Sequence, residues 1–291
     1  MKKIMNPRLM LIASMTIFGT LGIFVRNIPV SSGELALYRA VLAALLIAVF
    51  LLLTKQRIPF ANIKKEVPLL LASGVAMGIN WILLFEAYKY TTVSVATLSY
   101  YFAPVIVTVV CPVLFKEKLT GKQIICFIMS TLGLVLITGI GDIGSGNDFV
   151  GILFGLGAAV FYATVILLNK FIKNVEGIHR TFLQFLSAIV ILVPYVIMTS
   201  GVTLGNLNGI GWVNLLIVGL IHTGVTYCMY FFSLKELPGQ KAAILSYIDP
   251  LVAVMISVTI LGESMTLWQM IGGILILGFT LWNELPPKAR D

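Results

Sequence analysis

Charged side chains are scarce in this sequence. Asp, Glu, Lys and Arg account for 11% of the 291 residues, whereas about a quarter of the residues in an ordinary soluble domain are charged. So little charge cannot coat a water-facing surface, and a soluble fold is therefore excluded. Cysteine is rare as well. The three present argue against a disulfide framework because all lie inside apolar runs: Cys111, Cys126 and Cys228.

Several functional motifs are also missing. The sequence contains no HExxH, GxSxG or paired-aspartate motif, which argues against an intramembrane enzyme. It has no GxxxxGK(S/T) motif, and its loops are too short to house an ATPase, so a primary pump lacks support. No metal or cofactor is expected. The formal net charge is +8, but the basic residues form no continuous stripe, so we expect no nucleic-acid partner.

Apolar residues make up 59% of the chain and fall into long runs. A membrane-spanning helix needs roughly 20 mostly apolar residues. The polar connections are short, so the function is expected to reside in the helices themselves, with the lipid bilayer as their surroundings. Breaks between the apolar runs predict ten spans: 7–28, 33–53, 67–89, 94–115, 121–139, 149–172, 181–200, 209–233, 240–261 and 267–284.

Basic residues indicate the orientation, because cytoplasmic loops are enriched in Lys and Arg. With both termini in the cytoplasm, seventeen of the twenty basic residues lie in inner segments. Arg26 and Lys89 then lie at the outer ends of their spans, and Arg39 lies within a span. The basic N-terminus resembles the start of a secretory signal, but the apolar run continues without a convincing cleavage site and predicts an uncleaved first span. We expect a multi-pass protein of a prokaryotic cytoplasmic membrane.

An internal repeat appears when the chain is shifted against itself by 146 residues. Thirteen identities fall within a window of about sixty residues, without a gap. The chain is thereby divided into halves 1–145 and 146–291 within one membrane domain. Since each half has five spans, an odd number, the sequence predicts an all-α integral membrane protein of ten transmembrane helices in two inverted five-helix repeats. Inverted repeats are typical of carriers that alternate access to a midplane site. The polar identities carry most weight: Lys89 and Lys235, Glu117 and Glu263, Thr120 and Thr266, Gln123 and Gln269.

The segment from Gly262 to Gly278, preceded by Pro250, resembles the C-terminal signature of the EamA family in the drug/metabolite transporter superfamily. Its first-half counterpart runs from Pro104 through 116–123. The resemblance extends to Phe18-Gly19 and Arg39, although Phe18 stands where such transporters often have tryptophan. It implies ten helices, cytoplasmic termini and transport, commonly export, of amino acids or other small metabolites.

Ionisable residues within spans are candidates for function, because charge near the bilayer centre is costly. Asp249 lies about nine residues into its span, or roughly 14 Å deep. The adjacent Pro250 removes a backbone donor and can expose carbonyls to a cavity, although a purely structural kink is the alternative. His222 lies at comparable depth and is a candidate for proton coupling or for one interhelical hydrogen bond. Arg39 and Glu86 are candidates for an ion pair that locks the fold or latches an outer gate.

The recurring glutamates, Glu117 and Glu263, are assigned a structural role. Both lie at membrane boundaries just before a Thr-x-x-Gln sequence, and this spacing predicts a helix N-cap with a capping box at Thr120 and at Thr266. The motifs Gly74-x-x-x-Gly78 and Gly151-x-x-x-Gly155 predict close helix packing.

Aromatic and amide side chains within the spans predict a transport cavity, although tyrosine is also common as a membrane-interface anchor. Little charge and many rings suit zwitterions, apolar or aromatic amino acids, or organic cations, and suit sugar phosphates poorly. Pro104 lies three residues after Tyr101, and Pro250 lies three residues after Tyr247. Both prolines are assigned a gating role. The predicted substrate-binding residues are Phe18, Asn80, Trp81, Tyr100, Tyr101, Tyr162, Tyr227, Tyr247 and Asp249.

A secondary transporter is the leading functional hypothesis. Its expected partner is a small-molecule substrate, most simply an amino acid or related metabolite, with protons as a candidate coupling ion. Organic cations or nucleosides are the alternative substrates. A membrane receptor is the alternative class, and it would show binding without flux.

Overall fold

The computed structural model describes residues 6–56, 58, 63–115, 120–138, 146–175, 177–237, 242 and 245–285. Over these residues the regular secondary structure is entirely helical, as the sequence predicts. The first half contains α1 (Pro7–Gly19), α2 (Leu21–Val25), α3 (Ser32–Leu53), α4 (Val67–Tyr90), α5 (Val93–Tyr100), α6 (Ala103–Phe115) and α7 (Gly121–Thr138). The second half contains α8 (Gly146–Phe171), α9 (Gly177–Thr199), a short 3-10 helix (Leu204–Asn206), α10 (Gly209–Leu216), a π-helix (Ile217–Val225), α11 (Thr226–Glu236), α12 (Ile248–Thr259) and α13 (Leu267–Glu284).

Seven stretches of the described chain are long and apolar enough to cross a membrane, namely Pro7–Val25, Ser32–Leu53, Val67–Tyr90, Val93–Val110, Asp148–Phe171, Gly177–Thr199 and Gly209–Ser233. Each coincides with a predicted span. Two shorter apolar helices, Gly121–Ile137 and Ile248–Thr259, and α13 coincide with the remaining three. The integral membrane class is therefore confirmed, and the count of ten spans stays a prediction.

Side-chain caps fix where several helices begin. Ser31 and Glu34 form a capping box at the start of α3. The predicted boxes are also present: Gln123 Oε1 accepts from the backbone N–H of Thr120 at 2.8 Å, and Thr266 and Gln269 bond reciprocally at the start of α13. Because lipid supplies no hydrogen bonds, such caps satisfy N–H groups that would otherwise lack partners. Glu117 lies outside the described residues.

Two spans are broken in the middle. The helix that begins at Val93 ends at Tyr100, and α6 begins at Ala103. In the second half, a turn at Tyr247 precedes α12. Pro104 and Pro250 lie in the first turn of the helix that follows each break, where a missing N–H breaks no helical hydrogen bond. Broken helices of this kind leave backbone polar groups free to line a cavity.

The helix bounds repeat along the chain. Shifting α7 (Gly121–Thr138) by 146 residues reproduces the bounds of α13 (Leu267–Glu284), and shifting α3 reproduces α9 to within one residue. The midspan breaks at Tyr101 and Tyr247 are related by the same shift. These helices of the two halves therefore have matching bounds, and residues 139–145 between the halves lie outside the described residues.

The two halves interlock rather than stand apart. The first-half helix α4 packs against both α8 and α9, and α7 packs against α13. Where α7 crosses α13, a Cβ atom added to Gly272 would lie 2.4 Å from the carbonyl oxygen of Gly133. A Cβ atom added to Gly74 would clash with Ser187, and one added to Gly155 would lie 2.9 Å from Cβ of Ser99 in a neighbouring helix. The predicted small-residue packing is therefore confirmed. Large apolar side chains cover the outward face, among them Leu53 and Met198, as contact with lipid requires.

The crossing of α7 and α13 generates a stability prediction. We expect Gly272→Ala to lower the free energy of unfolding by about 1–3 kcal/mol, because the added methyl group overpacks a backbone contact. Gly278→Ala is the matched control in the same helix. A Cβ at Gly278 meets nothing within 4 Å, so this variant should be neutral or slightly stabilising. Thermal unfolding in detergent measures both, and equal midpoints for the two variants would contradict this packing.

Candidate functional site

A cavity of about 310 Å³ lies between the two halves. Its wall takes side chains from both, and Asp249 is the one carboxylate among the described side chains that line it. Eight residues predicted for binding or coupling lie on this wall: Phe18, Arg39, Trp81, Tyr100, Tyr101, Tyr162, Tyr227 and Asp249. The structure therefore brings most of the predicted side chains to one place.

Asp249 lies in the first turn of α12, directly after the break at Tyr247. The hydroxyl of Tyr101 donates to its Oδ2 at 2.6 Å, and Tyr101 itself lies at the break between α5 and α6. A hydrogen bond thus joins the broken span of one half to that of the other. Gly19 makes this arrangement possible, because a Cβ at Gly19 would lie 2.6 Å from the carbonyl oxygen of Asp249.

Aromatic rings form the wall around this carboxylate. Tyr100 stacks on Tyr162 with 5.1 Å between ring centroids, and Phe18 meets Tyr227 edge-on at 5.2 Å. Phe18 therefore fills the place of the expected tryptophan with another aromatic wall residue. Rings of this kind supply apolar contact area and π-faces that attract cations.

Arg39 faces the cavity from α3, with 3% of its surface exposed. Its Nε donates to Oγ1 of Thr223 at 3.0 Å, and its guanidinium lies 4.5 Å from the centroid of the Trp81 ring. Arg39 does not form the candidate ion pair with Glu86. The Glu86 carboxylate instead accepts from Lys89 and Ser32 at the end of α4, at 3.0 and 2.5 Å.

His222, a candidate for proton coupling, bonds to Thr20 and not to Asp249. The Nε2 atom of His222 shares a hydrogen bond with Thr20 Oγ1 at 2.8 Å, and its ring packs at 4.9 Å against Phe24. The histidine is 2% exposed and is absent from the cavity wall. Its alternative interpretation, one interhelical hydrogen bond, is the one that the structure supports.

Four other predicted residues also lie off the cavity wall. The Nδ2 atom of Asn80 donates to the carbonyl oxygen of Ala158 at 2.6 Å and so ties α4 to α8. Tyr247 is 8% exposed and buried behind the break. Pro104 and Pro250 lie at the starts of α6 and α12 and are absent from the wall of this cavity. Hydropathy places these residues at the correct depth but cannot tell which face of the helix meets the cavity.

An ion-pair cluster lies about one helical turn beyond the cavity-lining residues Gly22, Thr97 and Ala253. The guanidinium of Arg26 pairs with Glu263 and donates to the carbonyl oxygen of Thr91 at 2.9 Å. Glu263 also accepts from the backbone N–H of Val93 at 2.9 Å and from the hydroxyl of Ser257. Glu263, for which the sequence predicts a structural role, thus joins three connections between helices. The sequence signal for Arg26 is its position among the few basic residues outside the inner segments.

The opposite end of the cavity is lined by polar side chains that sequence reasoning missed. Gln184 Nε2 donates to Ser73 Oγ at 2.6 Å and to Asn169 Oδ1 at 2.7 Å. Arg180 donates to the carbonyl oxygen of Asn169 at 3.3 Å and lines the cavity beside it. Gly151 packs against Thr91 near the start of α8, so this polar cluster and the Arg26–Glu263 cluster are separated by about 27 Å along α8.

The described residues contain no group of three or more His, Cys, Asp or Glu side chains that could hold a metal ion. Cys126 is buried and Cys228 is half-buried, and both are free thiols. The side chain of Cys111 lies outside the described part of the chain. The described side chains that line the cavity supply hydrogen-bonding groups, charges and aromatic rings.

Comparison with known proteins identifies the family. The sequence profile of the EamA-like transporter family matches the chain twice, at residues 7–139 and 149–283. The chain belongs to the EamA-like transporter family. An uncharacterized transporter of Bacillus subtilis (strain 168), YxxF, is 32% identical to this EamA-like protein over 268 residues, which cover 91% of this chain and 85% of the relative. An uncharacterized transporter of Archaeoglobus fulgidus is 27% identical over 278 residues, with 94% and 95% covered. The resemblance predicted from the sequence is confirmed, and these relatives support membership of a membrane transporter family.

A solved crystal structure supports the fold of this EamA-like protein. It covers 94% of this chain and 95% of its own chain with a TM-score of 0.65, at 15% sequence identity. The agreement extends over both halves, so the relative placement of the helices is that of an existing protein fold.

The bond between Asn80 and Ala158 generates a prediction that separates packing from binding. We expect Asn80→Ala to lower the free energy of unfolding by about 1–3 kcal/mol, because it removes a buried hydrogen bond between two helices. Asn27→Ala is the control, since Asn27 Nδ2 makes a similar bond to the Ile23 carbonyl at 2.7 Å on the exposed surface and should lose less than about 0.5 kcal/mol. Unfolding in detergent measures both, and a neutral Asn80→Ala variant would contradict the structural role.

Proposed function

We propose that this EamA-like protein is a secondary transporter that moves amino acids or related small metabolites across the cytoplasmic membrane, in the direction of export. The observation that carries the proposal is the cavity between the two halves. It has aromatic walls, one carboxylate at Asp249, and arginines at Arg39 and Arg180. A small zwitterion matches a pocket that offers both signs of charge and apolar surface.

The architecture proposed is ten transmembrane helices in two inverted five-helix repeats, 1–145 and 146–291. The shared helix bounds of the two halves and the separate family matches at 7–139 and 149–283 support this division. Five spans in each half give the copies opposite orientations in the membrane. Two such copies can exchange conformations, which exposes the same site to each side in turn.

The orientation proposed has both termini in the cytoplasm, on the basis of the basic residues in the inner segments. In this orientation the end of the cavity at Asn169 and Arg180 faces the cytoplasm. The Arg26–Glu263 cluster then lies on the outer side, where it acts as a gate. On this proposal, substrate enters the cavity from the cytoplasm for export.

Proton coupling is assigned to Asp249, because His222 is engaged with Thr20. The Asp249 carboxylate and the Tyr101 hydroxyl, at 2.6 Å, connect the two halves. A proton or a substrate ammonium at Asp249 competes for the oxygen that Tyr101 binds, and either one alters the link between the broken spans. Substrate and proton can thereby be exchanged at one carboxylate.

Organic cations are the second candidate substrates. A carboxylate surrounded by Tyr100, Tyr101 and Tyr162 satisfies the two usual requirements for a cation site, a counter-charge and π-faces. In this case Asp249 remains the binding group and the arginines play no part in recognition.

Flux measurements test the transport proposal. We expect purified protein in liposomes to exchange radiolabelled amino acids in response to an imposed pH gradient, and Asp249→Asn to lose that response because the side chain no longer titrates. Glu86→Gln is the control carboxylate, since it lies off the cavity and pairs with Lys89. Gradient-driven flux that persists in Asp249→Asn would refute proton coupling there. Flux of organic cations in place of amino acids would select the second candidate.

The outer gate is tested by accessibility. In a protein without native cysteines, we expect Arg26→Gln to speed labelling of Thr97→Cys by a membrane-impermeant thiol reagent added outside. The substitution removes an ion pair and hydrogen bonds worth about 1.5–3 kcal/mol, so the increase should be about tenfold or more.

Lys89→Gln is the matched control for the gate, because it breaks an exposed ion pair on the same side. It should leave the labelling of Thr97→Cys nearly unchanged, since exposed pairs contribute little. Equal labelling rates in the two variants would show that the Arg26–Glu263 cluster does not gate the cavity.

A further inference from the structure

Arg39 is a buried cation without a protein counter-anion among the described residues. The nearby carboxylates have other partners: Glu263 pairs with Arg26, and Glu86 pairs with Lys89. Glu34, in the same helix as Arg39, is occupied by the hydroxyls of Tyr38 and Thr203. An arginine held in this way is costly in a membrane interior unless an anion joins it.

The guanidinium of Arg39 is oriented by protein contacts that use only part of it. Its Nε donates to Thr223, and the Thr223 hydroxyl is itself oriented by donation to the carbonyl oxygen of Val218 at 2.8 Å, a contact of the π-helix. The ring of Trp81 lies on one side at 4.5 Å, and that of Phe85 lies at 5.3 Å. These contacts leave the two terminal amino groups for the cavity, the geometry suited to a bidentate carboxylate.

The internal repeat places this cation in one half only. Shifting by 146 residues takes Arg39 to Phe185 and Trp81 to Tyr227, and the second pair makes a ring contact at 5.4 Å. A cation–π pair in the first half therefore corresponds to an aromatic pair in the second. The wall is electrostatically asymmetric, with a fixed positive group on α3 and the carboxylate of Asp249 on α12.

We propose that Arg39 binds the carboxylate of the transported molecule through its two terminal amino groups, and that the protein selects carboxylate-bearing substrates for this reason. The proposal rests on the proposed function, because it names the chemical group recognised in the same cavity. Asp249 receives the ammonium group of a zwitterion, while Arg39 orients the molecule by its acid end. Molecules with an amine and no carboxylate lose this contact.

Trp81 provides a direct reporter of the site. The chain has four tryptophans, and Trp212→Phe, Trp268→Phe and Trp282→Phe together leave Trp81 alone. Fluorescence of this variant in detergent would be titrated with three probes that share one ring: phenylalanine, 3-phenylpropionate and phenethylamine. We expect both carboxylates to change Trp81 emission. In Arg39→Gln their affinities should fall by about tenfold to a hundredfold, because a charge-assisted bidentate contact is lost. Phenethylamine should bind Arg39→Gln as it binds the native side chain.

Arg39→Lys is the second variant, because Arg39→Gln removes a buried charge and its folding must be checked by thermal unfolding. Lysine keeps the charge and loses the fork, so it should bind 3-phenylpropionate with intermediate affinity. Carboxylate affinities unchanged by either folded variant would overturn the proposal. If the protein that keeps Arg39 did not bind 3-phenylpropionate at millimolar concentration, that result alone would overturn the proposal.

Binding in detergent requires no flux, so the two proposals fail separately. If carboxylate binding depends on Arg39 but the protein shows no flux, the carboxylate site is supported and the transport proposal is refuted. Amino-acid flux in liposomes with a KM that Arg39→Gln does not change would keep transport and end the proposal for Arg39.

Discussion

A charge inside a membrane needs a partner, because lipid offers neither water nor hydrogen bonds. The carboxylate of Glu66 accepts from the backbone N–H groups of Lys173 and Asn174 at 2.8 and 3.1 Å, and so joins two connections between helices. Glu263 joins others at the far end of the cavity. The same requirement makes the few charges of the cavity wall informative: Asp249 is bonded to Tyr101, whereas Arg39 has a hydroxyl and aromatic rings but no described anion. Glu66 and Glu263 thus hold connections between helices together, whereas Arg39 offers its charge to the cavity without an anion among the described residues.

Much of the fold could be predicted from the sequence, because the apolar spans and the polar residues that separate and cap them depend on local sequence. The capping boxes at Thr120 and Thr266 and the apolar spans are confirmed, and the identities spaced by 146 residues foreshadow the shared helix bounds. The midspan breaks at Tyr101 and Tyr247 were signalled only indirectly, through the following prolines. The π-helix at Ile217–Val225 has no counterpart in the equivalent stretch of α4, and nothing local in the sequence announces it. Within it, Thr223 accepts the hydrogen bond from Arg39.

Most side chains of the candidate site could be predicted from the sequence, but the contacts that they make could not. Depth within a span selected Asp249 and most of the aromatic wall. The facing direction of each helix decided the rest, and the sequence does not encode it in the hydropathy of spans that are apolar all round. Asn80 and His222 are accordingly at the correct depth but turned toward neighbouring helices. The polar cluster of Gln184, Asn169 and Ser73 was missed because its members are far apart in the chain and individually unremarkable.

The central claim is that the cavity between the halves is the path of the transported molecule. Ser246 lines this cavity, and Ser200 lies at the end of α9, away from it. The most direct measurement is amino-acid flux through liposomes that contain Ser246→Cys or Ser200→Cys in a background without native cysteines, after modification by a methanethiosulfonate reagent verified by mass. We expect modified Ser246→Cys to lose flux and to regain it on reduction, and modified Ser200→Cys to keep it. Full flux through completely modified Ser246→Cys would show that the transported molecule does not pass through this cavity.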